Sequence, residues 1–382
     1  MSKYRELGVD VGKKGIESFR RAVFNLHPEA FCVVQPDPLM PGWGLVLHTD
    51  SAGSKTIAAY LGYRETGEPR WFEGLAQDAL AMNINDLACV AAQPLSFVDY
   101  VAFNTLLIDR VDLLEALAKG FQDALDTLRG LGCTPMFAGG ETADLPDLVR
   151  TLDVCVAMVG RVRLGGVVTG RGIQPGDQII GVRSGGAAGF ERGPNSGIMS
   201  NGHTLARTSL LSPKVAEEYP EVSASGPERY RGRYFFDTYV EELDATVGEA
   251  LLSPTRLYAP LALEALERHG GAIHGLVHNT GGGLTKCLRL GQNIHYVKDR
   301  LPEPDPIFQV VQREGGVGWR EMHQVFNMGV GFELVVAQEE AEDVLSTVEH
   351  FQVGAQIIGE CKPTQNGNKL TIQTPHGRYT YP

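Results

Sequence analysis

His48-Thr49-Asp50-Ser51-Ala52-Gly53-Ser54-Lys55 ends an apolar run that begins at Gly44, and it does so with a carboxylate followed by a turn of small residues. Two other stretches share this form. Asn83-Ile84-Asn85-Asp86-Leu87 closes a helical pattern, and Ala138-Gly139-Gly140-Glu141-Thr142-Ala143-Asp144 follows a second apolar run. Each sets an acid where an element stops, beside residues small enough to let a bulky anion approach backbone N–H groups. Hard carboxylate oxygens in such places suit Mg²⁺, which is normally shared with phosphates rather than caged by protein alone. Gly-Gly and Ala-Gly-Ser turns can form the backbone nests that hold those phosphates. Taken singly, each stretch reads better as a cap or turn. All three in one half of one chain point to a Mg–nucleotide site.

Around these stretches, strands and helices alternate without a short repeat, which predicts a mixed α+β fold and not a solenoid. The first half reads as a helical N-terminal arm, strand 44–49, helix 73–92, strand 95–104, helix 112–131 and strands 134–138 and 151–162. Asp112 is the expected N-cap of the second helix and Gly132 its C-cap. The glycine-rich stretch 165–176 is the expected linker between domains 1–164 and 165–382. Beyond it the pattern predicts strand 178–183, helices 201–211 and 255–269, strand 272–278 and a helix opening at Gly281–Gly283. Strand 293–298, helices 306–314 and 319–326, strand 329–337, helix 339–351, strand 355–361 and a hairpin over 369–381 complete it. Two insertions, 184–197 and 217–236, read as exposed loops or lids.

The 382 residues suffice for two domains, and 43% hydrophobic with 21% charged residues is a globular composition. Thirty-four basic against 46 acidic residues leave a net charge of −12. That opposes broad binding to nucleic acid or to an anionic membrane, but not to a small phosphorylated ligand. The six cysteines, at 32, 89, 133, 155, 287 and 361, form no Cys-x-x-Cys and read as reduced thiols. The N-terminus lacks an apolar signal core and no run is long enough to span a bilayer, so a cytoplasmic protein is expected.

Other motifs narrow the chemistry. Asp78 and Asn85 are seven residues apart on one helix face, with Asp86 one position round, and acid near a helix C-terminus opposes the macrodipole. A metal ion would remove that objection. Gly53-Ser54-Lys55-Thr56 is not a Walker A loop, because Ser54 and Thr49 hold the places of its glycines. Thr280-Gly281-Gly282-Gly283 follows a strand and opens a helix, which suits an anion or a plain tight turn equally. Ser200-Asn201-Gly202-His203 precedes another helix and reads, alone, as a cap. His274 and His278 flank a strand, and no His-Glu-x-x-His or cysteine cluster is present, so no structural zinc site is expected.

Together these strings resemble one family. Asp50-Ser51-Ala52-Gly53-Ser54-Lys55 is similar to the Asp-Gly-Val-Gly-Thr-Lys signature of the AIR synthetases (phosphoribosylformylglycinamidine cyclo-ligases). Asp78–Asp86 resembles their Asp-x-x-Ala-Met-x-x-Asn-Asp helix, and 139–146 resembles Gly-Gly-Glu-Thr-Ala-Glu-Met-Pro. Gln93–Tyr100, Ser200–Gly202, Pro254–Tyr258, Thr280–Gly283 and Phe326–Gly331 follow in the family's order.

The resemblance implies a two-domain PurM-like fold whose N-terminal domains pair into a β-barrel across a homodimer. It implies ATP- and Mg-dependent closure of formylglycinamidine ribonucleotide to 5-aminoimidazole ribonucleotide through an imidate phosphate, in purine synthesis. On this reading Asp50, Asp86 and Glu141 hold Mg²⁺, with Asp78 and Asp144 in support, and Lys55 is the phosphate cation. Asp50, Lys55 and Asp86 are the catalytic set. Ser51, Gly53, Asp78, Asn85, Gly139, Gly140, Glu141 and Thr142 complete the nucleotide site. Ser200, Asn201, Gly202, His203, Thr280, Gly281, Gly282 and Gly283 take the substrate.

The chain departs from the family pattern in three places. Prolines and Trp43 stand in 33–44 where a glycine-rich segment is usual, Ser51 replaces a glycine, and Met199 replaces a histidine for which His203 is near enough to substitute. The alternative readings are a formylglycinamidine ribonucleotide synthetase-like enzyme, or a catalytically silent nucleotide-binding dimer.

Overall fold

Every second side chain of the strand Leu152–Arg163 is buried, through Leu152, Val154, Val156, Met158 and Val162, the period of a sheet with one covered face. In the computed structural model, which describes residues 2–9, 15–224 and 226–382, this strand is the middle of five. Their spatial order is Gln35–Pro36, Trp43–Ser51, Leu152–Arg163, Gln93–Phe103 and Met136–Asp144. The helices Lys55–Thr66 and Glu73–Ala88 pack on the covered face, and Arg110–Gly130 joins them through Phe121 against Phe97. The opposite face leaves Leu47 61%, Val98 43% and Tyr100 41% exposed.

From Leu75 to Ala88 only Gln77 escapes burial. A helix buried all round needs a layer on each side. The first sheet supplies one, and the helix Ala259–His269 with the strand Ile273–His278 supplies the other. Gly120 permits the close pass of Arg110–Gly130, since a Cβ there would lie 2.0 Å from Glu73 O.

The second sheet has seven strands, in the order Ile273–His278, Val330–Val336, Gln178–Arg183, Ala355–Pro363, Ile294–Lys298, Lys369–Thr374 and Gly377–Tyr381. All its pairings are antiparallel except Ile294–Lys298 with Lys369–Thr374. Val330–Val336 is buried at every residue, as expected of a strand covered on both faces.

Several expectations need correction. Lys55–Thr66 is a helix that the sequence reading missed; its buried residues include Lys55 and Gly62, which blur the periodicity. The long helix Arg110–Gly130 is capped by Asp109, whose Oδ1 accepts from Val111 N (2.8 Å) and Asp112 N (3.1 Å), and not by Asp112. Gly132 follows with φ +79°, the left-handed turn expected of it. The strand Met136–Asp144 runs on through Gly139-Gly140-Glu141, so that segment is a bulged edge strand rather than a turn. The expected helix 255–269 starts only at Ala259, and Gly281–Gly283 opens a 3₁₀ turn, Gly283–Arg289.

The insertions are packed in place. Glu191 pairs with buried Arg256 at 2.7 Å, Tyr230 accepts from Arg207 Nε at 2.8 Å, and Phe236 meets Trp71 edge-on with centroids 5.1 Å apart. No helix among the described residues is long and apolar enough to cross a membrane. All six cysteines are unpaired, five of them buried.

Candidate active site

The polar edge of the helix Glu73–Ala88 organises the junction between the two sheets. Asp78 is fully buried and accepts, at Oδ1, from Lys55 Nζ (2.9 Å), Ser200 Oγ (2.9 Å), Thr255 N (2.7 Å) and Thr255 Oγ1 (2.6 Å). Lys55 is equally buried and also lies 2.8 Å from Asp78 Oδ2. Burial pulls its pKa down, against the raising effect of Asp78. Lys55 is thus enclosed by protein acceptors, where the sequence reading expected a cation open to phosphate.

Asn85 has a similar role. Its Oδ1 accepts from Tyr258 N (2.7 Å) and Ala259 N (3.0 Å), capping the helix Ala259–His269 from a distant part of the chain. This trans cap is why that helix starts where it does. Asn85 Nδ2 donates to Arg256 O (2.9 Å) and faces His278 Nε2 at 3.4 Å. Asn85 is therefore saturated by protein groups.

Asp86 lies one residue on, at the bottom of a polar cluster. Its Oδ1 accepts from His278 Nδ1 at 2.7 Å, and His48 Nε2 is 3.4 Å from Oδ2. Because Asn85 presents an NH₂ to His278 Nε2, the His278 proton sits on Nδ1 and points at Asp86. Burial lowers the His278 pKa, against Asp86, and keeps the ring neutral. Burial pushes the Asp86 carboxyl upward, but the Lys286 ammonium, the His278 hydrogen bond and His48 outweigh it and hold Asp86 below the ordinary range. Asp50, at the end of the strand Trp43–Ser51, moves the other way: burial raises its pKa and the Asp86 charge adds to that. Asp50 Oδ1 accepts from Ser51 N at 2.8 Å.

Loops from both halves close on this cluster. Ser54 Oγ is 2.9 Å from Thr204 Oγ1, and a Cβ on Gly53 would stand 3.4 Å from Ser200 O. A Cβ on Gly281 would stand 3.6 Å from Asn201 Oδ1, while Asn201 Nδ2 meets Met82 Sδ at 3.8 Å. Gly202, with φ +76°, has no room for a side chain, since a Cβ would be 2.3 Å from the Phe326 ring. Gly283, with φ +51°, is equally constrained by Phe326 O. Ser51, Gly53, Ser200, Asn201, Gly202 and Thr280–Gly283 are therefore brought together near Asp50 and Asp86.

Lys286, which the sequence reading passed over, donates to Thr280 Oγ1 and stands 4.6 Å from the Phe31 ring centroid. It is the cation that acts most strongly on Asp86. Its position three residues past the glycine triplet was the available signal.

Two expectations fall outside this gathering. His203 is 1% exposed, its Nε2 is 2.8 Å from Met199 O, and burial takes its pKa down to about 3. It is a packed histidine and does not replace the one missing at Met199. Glu141 lies on the exposed edge strand. Asp50 pairs with Val156, Val156 with Asp99, and Asp99 with Gly140. The Gly139–Thr142 segment is thus three strand spacings of about 4.8 Å, or about 14 Å, from Asp50 within one chain. Among the described residues Glu141 Oε1 accepts from the next residue alone, Thr142 N, at 3.1 Å, and Asp144 pairs with Arg110.

The family model described as AIR synthase related protein, N-terminal domain, matches residues 29–162, and its C-terminal counterpart matches residues 174–369. The chain is 34% identical over 328 residues to the phosphoribosylformylglycinamidine cyclo-ligase of Methanocaldococcus jannaschii, covering 85% of this chain and 81% of that one. It is 31% identical to the Methanococcus maripaludis protein of the same name, over 98% of this chain and 96% of that one. Among solved structures, a chain of the HypE–HypF complex aligns with TM-score 0.56 and 17% identity, over 97% and 98% of the two chains. T. maritima PurL complexed with FGAR aligns with TM-score 0.58 and 16% identity, over 96% of this chain and 49% of that one. AaThiL complexed with AMPPCP and TMP gives TM-score 0.56 and 12% identity, over 96% and 95%. At these identities the structural likeness concerns the fold.

Proposed function

Because the chain belongs to the AIR synthase related family, we propose that it is a cytoplasmic, ATP- and Mg-dependent cyclo-ligase that closes formylglycinamidine ribonucleotide to 5-aminoimidazole ribonucleotide. One observation carries the reading. The Asp50–Asp86 pair lies beside small-residue turns contributed by both halves of the chain, namely Gly53–Ser54, Ser200–Gly202 and Thr280–Gly283. Phosphoryl transfer asks for positioning and charge neutralisation more than for a protein nucleophile, and this arrangement offers both.

The donor set fits Mg²⁺. Two hard carboxylates interact closely enough for Asp86 to raise Asp50, a repulsion that a divalent cation would relieve. Bound there, Mg²⁺ would supply neutralisation of the triphosphate. The chain's own residues do the rest. The open turn at Gly281 presents backbone N–H groups, Lys286 adds positive charge, and Asn201 lies over Met82 beside them. Asp78, Lys55 and Asn85 act at one remove, by fixing Ser200, Thr255 and the start of Ala259–His269.

The bare apolar face at Leu47, Val98 and Tyr100 supports a homodimer in which a second copy covers it, and a shared barrel is one way to do so. Glu141 then joins the acidic pair only from that second copy. A division of the chain at 165–176 belongs to the same reading. The test is to incubate the protein with formylglycinamidine ribonucleotide, ATP and Mg²⁺. Formation of 5-aminoimidazole ribonucleotide and ADP in equal amounts supports it. ATP turnover without that product, or nucleotide binding without turnover, rejects it.

A further inference from the structure

We propose that Cys32, His48 and Asp86 form a binding site for a borderline divalent metal of the zinc or cobalt(II) class. One ligand atom from each residue lies within 4.8 Å of the other two. A tetrahedral ion with bonds of about 2.0–2.3 Å separates its ligands by roughly 3.3–3.8 Å, so the trio need contract by only about 1 Å.

The orientation of His48 carries the argument. Asn83 Nδ2 donates to Ala79 O (2.8 Å) and Asp50 O (3.2 Å), which leaves Asn83 Oδ1 facing His48 Nδ1 at 2.8 Å. An amide oxygen only accepts, so Nδ1 carries the proton. The ring so fixed presents its other nitrogen, Nε2, to Asp86 Oδ2, 3.4 Å away. An imidazole nitrogen and a carboxylate oxygen thus face each other across a gap that a divalent ion, in exchange for any Nε2 proton, would bridge. Asp86 is braced from behind by His278, and His278 by Asn85. A histidine fixed through its other nitrogen and a carboxylate held by an outer hydrogen bond are the supporting shell that metal ligands need. Cys32 completes the set: its thiol, 6% exposed, donates to the main-chain carbonyl of Asp86 at 3.1 Å, which places the sulfur beside that residue.

The ligand types choose the metal. A sulfur and an imidazole favour zinc-class ions over Mg²⁺, which prefers oxygen. Thiolate, carboxylate and neutral imidazole carry two negative charges, matched by one divalent ion. Binding replaces the Cys32 S–H bond with a sulfur–metal bond and releases that proton to the buffer. The site shares Asp86 with the magnesium assignment but does not depend on ring closure.

Cobalt(II) titration of the metal-stripped, reduced full-length protein tests this. The expected result is saturation at one equivalent, with thiolate-to-cobalt charge transfer, tetrahedral d–d bands and one proton released per ion. Zn²⁺ should displace the cobalt, and Mg²⁺ in large excess should not. Cys32→Ser should lose the charge transfer, His48→Ala should bind more than about tenfold weaker, and Cys155→Ser should behave as wild type. No saturable change, or an unaltered spectrum in folded Cys32→Ser, overturns the proposal. So does a His48 Nε2 proton that persists in NMR spectra under excess Zn²⁺, because a proton then occupies the gap. Ring closure assayed with Mg²⁺ on the same stripped protein reports separately on the proposed function.

Discussion

Replacing Lys55 by methionine separates two roles for this residue. Lys55 and Asp78 are both fully buried, with Nζ 2.9 and 2.8 Å from the two carboxylate oxygens. Removing one partner of such a pair leaves an uncompensated charge in a low-dielectric setting, at a cost of about 3–5 kcal/mol. Asp78 cannot escape by turning, because Thr255 N, Thr255 Oγ1 and Ser200 Oγ also hold its Oδ1.

The second change is therefore Asp78→Asn, which removes the charge but keeps an acceptor for those three donors. The double variant should recover most of the loss and return to within about 2 kcal/mol of wild type. Urea unfolding of the wild type, both single variants and the double variant gives the coupling energy directly. If Lys55 instead serves mainly as a phosphate cation, Lys55→Met would unfold at nearly the wild-type midpoint while the KM for ATP rises steeply. That outcome would refute the structural reading of Lys55.

Further outcomes follow from the same geometry. Asn85→Ala removes the trans cap and a buried donor, so stability should fall by about 2–4 kcal/mol, read from urea midpoints. Asp86→Asn should lower the use of Mg–ATP while leaving circular dichroism unchanged; equal activity would remove Asp86 from the metal assignment. If Glu141 acts across a dimer, inactive Asp86→Asn and Glu141→Gln proteins should regain about a quarter of wild-type sites after subunit exchange, and none if every site lies within one chain. Burial pushes the Asp305 carboxyl up to about 6, against the lowering effect of Arg183. Its folded pKa is above its unfolded value, so the stability it contributes is full in acid and is lost as pH rises through about 6. Compared with Asp305→Asn, wild type should lose ground between about pH 4 and 7 in urea melts, and a constant difference would count against this shift.

Much of this molecule was legible before any coordinates. The apolar runs at 151–162 and 329–337 marked the central strands, and the terminal acids marked Asp50 and Asp86, because both signals arise from neighbours in the chain. Other features depend on partners more than a hundred residues away. Asn85 caps a helix whose backbone it meets only after folding. Lys55, besides Asp78 nearer in the sequence, reaches Ser253 O across 198 residues, and Asp86 meets His278 across 192. The roles of Glu141 and His203 also turned on place: strand order carried one to an exposed edge, and packing closed over the other. Residue type and spacing determine which side chains can bind a cation or cap a helix. Only tertiary structure decides which of them remain free to do so, because a buried polar group is taken up by whichever partner folding brings within hydrogen-bond reach.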